Sequence, residues 1–272
     1  MSPARWFAVA PAVVVVLIAL IGPDIPAASA TAAAAGPFQP ADPARPLGTD
    51  VLGRDVLARV LAGGRTLVLQ AGAATLIGSA VGLAVGVWAG TTSRTSLAGV
   101  VMRLVDAVAA IPAIIVLLLL AAGFPGNDLV VMGVIAAVSI PFSVRVLRER
   151  AAALAATDYA RDAAARGESR WRRVRDDILP GLTPTALTEA GVRFVAATQL
   201  AATAGFLGLG AGAPAANWGR LVRENSTGMM SNPAPVIVPA VLLVVLAVGV
   251  TVALDRAAET RVGGLGPAGA AP

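Results

Sequence analysis

Few side chains in this sequence could carry chemistry, and most of those are charges set among apolar residues. Glu189 and Arg193 stand four positions apart with the acid first, the order and spacing that pair best on a helix. Thr183, Thr185, Thr188, Thr198, Gln199 and Thr203 share their stretch and make it the most polar of the long apolar runs. Polar groups in hydrocarbon must face protein or water. Glu189, Arg193 and Gln199 are therefore candidates for lining a pathway or meeting a partner subunit. Asp106 is a second acid at membrane depth, with Arg103 three positions before it. That spacing suggests an ion pair near a helix end. The rival chemistry is a secondary transporter in which Asp106, Glu189 and Arg193 are ion-coupling charges.

The missing residue types remove most other chemistries. The 272 residues include no histidine, cysteine or lysine. Histidine- or cysteine-based nucleophilic catalysis, metal or haem ligation by those residues, and disulfides are excluded. No GxxxxGK[ST] phosphate loop occurs, so this chain binds no ATP through a P-loop. No catalytic residue, cofactor or metal site is expected. Hydrophobic residues make up 57% and charged residues 14%, against about a quarter charged in soluble domains; mean hydropathy is +0.78. A polytopic membrane protein follows. The net charge of +5 comes wholly from arginine, which in such a protein marks loops on the inner side rather than nucleic-acid binding.

The apolar runs divide into about six membrane helices. The first, Trp6 to Ile21, follows Arg5; with Ala28-Ser29-Ala30 beyond it, a cleavable signal peptide is the alternative to a retained helix. An irregular outside loop with a short amphipathic helix is expected next, started by Asp50 and ended by Gly63-Gly64, with Arg54 and Arg59 facing away from its apolar side. The second span, Leu67 to Ala89, carries Gly78, Gly82, Gly86 and Gly90 at every fourth position, a groove for close helix packing. A turn over Thr91 to Met102 leads to a third span ending near Ala122, with Pro112 near its start. Leu129 to Val144, Pro180 to Leu209 and Val236 to Leu254 complete the set. Gly210 to Pro235 is expected as an outside loop, and a Gly/Pro/Ala-rich tail as disordered. Six spans place both termini on one side. Arg5, Arg94, Arg103, Arg256, Arg261 and the nine arginines from Arg145 to Arg175 then fall inside, as the positive-inside rule asks.

The inner arginine-rich segment is patterned. Alanine-rich Ala151 to Ala165 favours helix, Gly167 suits a left-handed cap, and Ser169 can start a second short helix with Trp171, Val174 and Ile178 on one face. Periodicity alone leaves open whether this helix pair rests on anionic lipid or on protein.

Three motifs settle on a resemblance. Asp158, Tyr159, Ala163, Gly167, Ile178, Leu179 and Pro180 match the EAA loop of ABC importer permeases. PLGTDVLGRDVLARVL, with Gly48, Thr49, Asp50, Gly53, Arg54 and Asp55, resembles the periplasmic motif of the dipeptide/oligopeptide/nickel permeases. FLGLGAGAPAANWG, with Phe206, Leu207, Gly208, Gly210, Trp218 and Gly219, resembles their motif before the last span. The chain departs from the family pattern at Asp162, Ala164 and Arg166, and has Arg45 where histidine is frequent.

The resemblance implies an all-α membrane protein of the type I ABC importer permease fold, closest to the C-type subunit of peptide systems. Residues 1–22 would be the first helix, 23–66 the periplasmic loop, 67–256 the permease core with its coupling loop at 145–180, and 257–272 a cytoplasmic tail. The implied setting is the bacterial plasma membrane, with a second homologous permease, one or two ATPase subunits that bind ATP-Mg, an extracytoplasmic solute-binding protein, and membrane lipid as partners. Asp158, Tyr159, Ala163, Gly167, Trp171, Ile178, Leu179 and Pro180 would couple to the ATPase. The cargo would be peptides, with nickel or another small ligand as the alternative.

Overall fold

The computed structural model describes residues 3–25, 30–212 and 215–262. The Ala28-Ser29 part of the possible cleavage site and the tail beyond residue 262 lie outside them. The helices are α1 (Pro3–Ile21), α2 (Val56–Thr91), α3 (Thr95–Ala109), α4 (Ala113–Gly123), α5 (Asp128–Ala155), α6 (Asp158–Ala165), α7 (Arg170–Arg173), α8 (Leu179–Leu207), α9 (Trp218–Asn225) and α10 (Ala234–Val262). Among the described residues there is no strand, only isolated bridges between 33 and 55. The all-α expectation holds. Four helical stretches are long and apolar enough to cross a membrane, five if α3 and α4 form one bent span. α1 adds 19 residues, about 28 Å of rise against a hydrocarbon core of about 30 Å.

Two compact units make up the chain. The first takes Met1–Ala71, Phe124–Asp128 and Thr198–Pro272; the second takes Gly72–Gly123 and Leu129–Ala197.

In the first unit, small residues let helices approach. A Cβ at Gly249 of α10 would stand 2.4 Å from Ala12 Cβ of α1, and one at Gly64 of α2 only 2.7 Å from Ala19 Cα. This corrects the expected end of a short helix at Gly63-Gly64. α2 runs unbroken from Val56 to Thr91, and the glycine pair serves close packing against α1 and Trp218. Asp50 is not the helix cap either. Asp55 caps α2, its Oδ1 accepting from the Leu57 and Ala58 amides at 2.8 and 3.3 Å. The stretch expected as a loop from 210 to 235 contains the amphipathic helix α9. α10 continues past the expected end of its span to Val262.

In the second unit the glycine stripe packs α2 on α5. Added Cβ atoms at Gly78, Gly82, Gly86 and Gly90 would meet Ser139, Ser143, Arg148 and the Arg148 carbonyl at 3.0, 2.4, 3.0 and 2.6 Å. Below this seam, Val87, Leu147, Ala151, Ile178 and Leu182 form a buried core. The third span differs from expectation. Thr95 to Met102 is helical rather than a turn, and α3 and α4 meet at a 75° bend. Pro112 sits at this break and disfavours helical backbone at the residue before it.

Candidate functional site

The arginine-rich segment has the helix–turn–helix shape its sequence suggests. Thr157 Oγ1 caps α6 by accepting from the Ala160 amide at 3.5 Å. At the other end the Gly167 amide bonds the Ala164 carbonyl at 3.0 Å, and the Glu168 amide bonds the Ala163 carbonyl at 3.1 Å. This is a Schellman closure. It needs a left-handed residue at position 167, where φ is +79°. Ser169 Oγ caps α7 through the Arg172 amide at 3.3 Å. A π turn over Val174–Ile178 then feeds into α8. Pro180, which has no N–H for the helical ladder, lies just beyond it.

This segment is held from one side. Ala160, Ala163 and Ile178 are buried. Arg170 Nη2 donates to the Trp88 carbonyl and to Thr91 Oγ1, both at 3.1 Å. A cation thus meets the C-terminal end of α2, where free carbonyls and the helix dipole favour it. The other side is open. Tyr159 is 66% exposed and Trp171 71%, and Asp158, Asp162, Ala164 and Arg166 are exposed as well. Trp171 therefore does not share the buried face of Val174 and Ile178 as its spacing suggested. Arg166 is matched locally by Glu168 at 3.2 Å.

Two sequence motifs far apart in the chain come together in the first unit. Asp50, fully buried, accepts from Arg54 Nε at 2.6 Å and from the Leu52 and Arg54 amides at 2.9 Å. Arg54 and Arg59 each reach Glu224 of α9 at 3.2 Å, and Arg59 Nε lies 3.7 Å from Asp50. Both arginines, expected to face away from the helix's apolar side, are buried. Charges that would be scattered on a lone surface helix are instead collected against the second motif. Trp218 Nε1 donates to the Val60 carbonyl at 2.7 Å, and the Val51 amide donates to Asn225 Oδ1 at 2.8 Å. Asn232 Nδ2 ties the Gln39, Leu47 and Thr49 carbonyls at 3.0–3.2 Å. Thr49 Oγ1 accepts from the Gln39 amide and donates to the Gly36 carbonyl, both at 2.7 Å. Gly53 must be glycine: φ is +71°, and a Cβ would stand 2.0 Å from the Ala35 carbonyl oxygen. Gly48, at φ +69°, abuts the Gln39 carbonyl in the same way. Gly208 and Gly210 turn the chain after Phe206 and Leu207 at the end of α8, and Gly219 lies against the Ala202 carbonyl. Arg45 pairs with Asp42, holding that carboxyl below its ordinary range mainly through their side-chain hydrogen bond. Sequence reasoning missed Glu224, Asn225 and Asn232. Opposite charge on the stretches around Arg54 and after Trp218 was the available signal for the first.

The membrane charges sort differently from expectation. Glu189 and Arg193 do pair, at 2.9 Å. Ser143 Oγ donates to Glu189 Oε1 at 3.3 Å, and the Arg193 guanidinium lies 5.0 Å from the Phe142 ring centre. Gln199 does not join them and is exposed. Asp106 pairs not with Arg103 but with Arg145 of α5, at 2.7 Å. α3 presents Asp106 to a neighbouring helix rather than along its own face. No group of three or more acidic side chains placed to hold a metal occurs among the described residues.

A model of the family described as "Binding-protein-dependent transport system inner membrane component" matches residues 82–262. The chain belongs to this family. The matched stretch contains the whole EAA-like segment and α9, and begins after the Pro46–Leu61 motif. The family description places these proteins in the inner membrane, and the long apolar helices make the chain multi-pass. Relatives include the probable D,D-dipeptide transport system permease DdpC of Escherichia coli K12, 35% identical over 179 residues, covering 64% of this chain and 58% of that protein. The glutathione transport system permease GsiD of Pectobacterium atrosepticum is 32% identical over 208 residues (74% and 67%). The dipeptide permease DppC of Alkalihalophilus pseudofirmus is 31% identical over 202 residues (73% and 66%). The aligned stretch thus spans about three fifths to two thirds of these relatives' lengths. Among solved structures, an inward-facing form of the MetNI methionine ABC transporter has a chain that superposes with a TM-score of 0.62 at 21% identity, over 74% of this chain and 95% of that one. The inner-membrane-component family and this superposition agree on the type I importer permease fold.

Proposed function

We propose that the chain is the permease subunit of an ATP-driven ABC importer, forming half of a translocation path for di- or oligopeptides. The reading rests most on one observation. The segment from Thr157 to Ile178 is a capped helix, a glycine turn and a second helix continuous with a membrane span, anchored on one side and open on the other. A stiff element of this kind can transmit a push from a docked partner into α8. Asp158, Tyr159, Ala163, Gly167, Trp171, Ile178, Leu179 and Pro180 are the proposed coupling residues, facing or supporting one ATPase subunit that hydrolyses ATP. A second homologous permease completes the path, and an extracytoplasmic binding protein delivers cargo. Both termini lie inside, with the two motifs around Asp50 and Trp218 outside. The names of the three relatives, for D,D-dipeptide, glutathione and dipeptide transport, support peptide cargo.

Gly167 gives the test. A Cβ there would meet nothing within 4 Å, so substitution acts through the backbone alone. Asparagine tolerates the left-handed region, whereas valine does not. In the assembled transporter, Gly167→Asn is expected to keep cargo-stimulated ATPase activity, and Gly167→Val to lose it while the complex still assembles. Full coupling in Gly167→Val would count against the assignment.

A further inference from the structure

Arg193, in the second unit, is the fifteenth of the 29 residues of α8 and so lies midway along it. Either end of the helix is about 21 Å away, and a charge at such depth must face protein or water rather than lipid. Its surroundings differ from side to side. Behind it stands Glu189, whose side chain is 9% exposed; Glu189 Oε1 lies 2.9 Å from Arg193 Nε and accepts from Ser143 Oγ at 3.3 Å. Glu189 is the only acid within ion-pair distance of Arg193 among the described residues. The other charged pair within the unit's spans, Asp106 with Arg145, is matched within itself. Beside Arg193 lies the Phe142 ring, its centre 5.0 Å from the guanidinium carbon. In front, both Nη nitrogens reach the surface and make no hydrogen bond among the described residues, whereas Nε is enclosed.

We infer that Arg193 binds the α-carboxylate of a peptide in transit, its two Nη groups donating to the two carboxylate oxygens, with Glu189 and Phe142 as positioning residues. The inference rests on the peptide-importer reading and names the part of the cargo that the permease itself recognises. A free C-terminus is common to peptides of every sequence, so a site for it serves cargo with varied side chains. The planar guanidinium matches a carboxylate through two parallel hydrogen bonds. Glu189 neutralises the guanidinium when no cargo is present, which avoids a buried lone cation. Because it does so at Nε, the outer donors stay free. The pair is neutral as a whole but not symmetrical: the acid points inward to Ser143, and an approaching carboxylate meets the Nη donors first. The Phe142 ring attracts the guanidinium and restrains its plane.

The test is uptake by the assembled transporter in proteoliposomes, with its binding protein and an equimolar pool of di- and tripeptides with free C-termini as the probe. Arg193→Gln is expected to lower the maximal uptake rate about tenfold, the size of one charge-assisted hydrogen bond, in a complex that still assembles. The loss should fall on the maximal rate rather than on KM, because capture by the binding protein precedes the permease step. The double exchange Glu189→Arg with Arg193→Glu keeps an ion pair but turns the carboxylate outward, and it should not restore uptake. Uptake within twofold of native in Arg193→Gln would overturn the inference. So would restoration by the exchange, as expected of a purely structural pair. Loss of the second permease from the purified Arg193→Gln complex would overturn it too, as expected if an acid of that subunit occupies the guanidinium. Each of these outcomes, with native uptake intact, leaves the peptide-importer reading standing. A native complex that carries no peptide of the pool would refute that reading, and the inference with it.

Discussion

Truncating Asp50 to alanine is expected to be among the most damaging single substitutions in this chain, although Asp50 lies outside the long apolar helices. The carboxylate is fully buried and accepts three hydrogen bonds at 2.6 to 2.9 Å, one from Arg54 Nε and two from backbone amides. Its removal leaves Arg54 and Arg59, 3% and 1% exposed, sharing Glu224. Breaking a buried pair by deleting one partner costs about 3–5 kcal/mol. Each orphaned amide adds about 1–3 kcal/mol unless water reaches it. A loss of at least about 3–5 kcal/mol, and more where water does not reach the amides, is therefore expected, a large share of a native stability of about 5–15 kcal/mol. Glu224 is partly exposed, and bonds to charged groups contribute about 1.5–3 kcal/mol, so Glu224→Ala should lose only about 1–3 kcal/mol. Asp50→Asn, which keeps a carbonyl for the amides, should fall between. The assay is reversible unfolding of the full chain in mixed micelles. An Asp50→Ala variant within about 0.5 kcal/mol of the native chain, or a smaller loss than Glu224→Ala, would refute the view that this cluster holds the motifs around Asp50 and Trp218 together.

Two contrasts extend the same reasoning. Gly82→Ala should cost about 1–3 kcal/mol by overpacking, because its Cβ would stand 2.4 Å from Ser143 Cβ. Gly72→Ala on the same helix, where a Cβ meets nothing within 4 Å, should be neutral or stabilising by up to about 1 kcal/mol; the unfolding assay reads both. The Asp106–Arg145 pair is about half exposed, so Asp106→Asn should cost less than about 1 kcal/mol. It should also leave uptake within about twofold of native. A collapse of uptake would revive Asp106 as an ion-coupling acid.

The legible parts of this chain were those set by local pattern. Glycine at every fourth residue of α2 predicted a close helix contact, and the packing on α5 supplies one. The Thr157 to Gly167 segment carried its own caps, so its shape could be read without its surroundings. Pairing of Glu189 with Arg193 followed from helical spacing alone. What could not be read were choices decided by tertiary contact. Gly63-Gly64 signals a helix end when judged locally, but Trp218 and Ala19 press close enough there to require glycine within a continuing helix. Arg54 and Arg59 look like solvent-facing charges until Glu224, some 165 residues later, is brought beside them. Asp106 had an equally spaced arginine on its own helix and took one from α5 instead. The bend at Pro112 split a span that hydropathy, which averages over a window, reads as one.

The proposed function requires the Asp158–Ile178 segment to meet an ATPase inside the cell. The natural absence of cysteine makes the chain its own background for single-cysteine labelling. In the assembled transporter, Tyr159→Cys is expected to cross-link to the ATPase subunit and to resist a membrane-impermeant maleimide in cells with an intact inner membrane and a permeabilised outer one. Met230→Cys, at a position 98% exposed beyond α9, should show the reverse, with labelling from outside and no cross-link. Labelling of Tyr159→Cys from outside, or cross-linking of Met230→Cys but not Tyr159→Cys to the ATPase, would contradict the account.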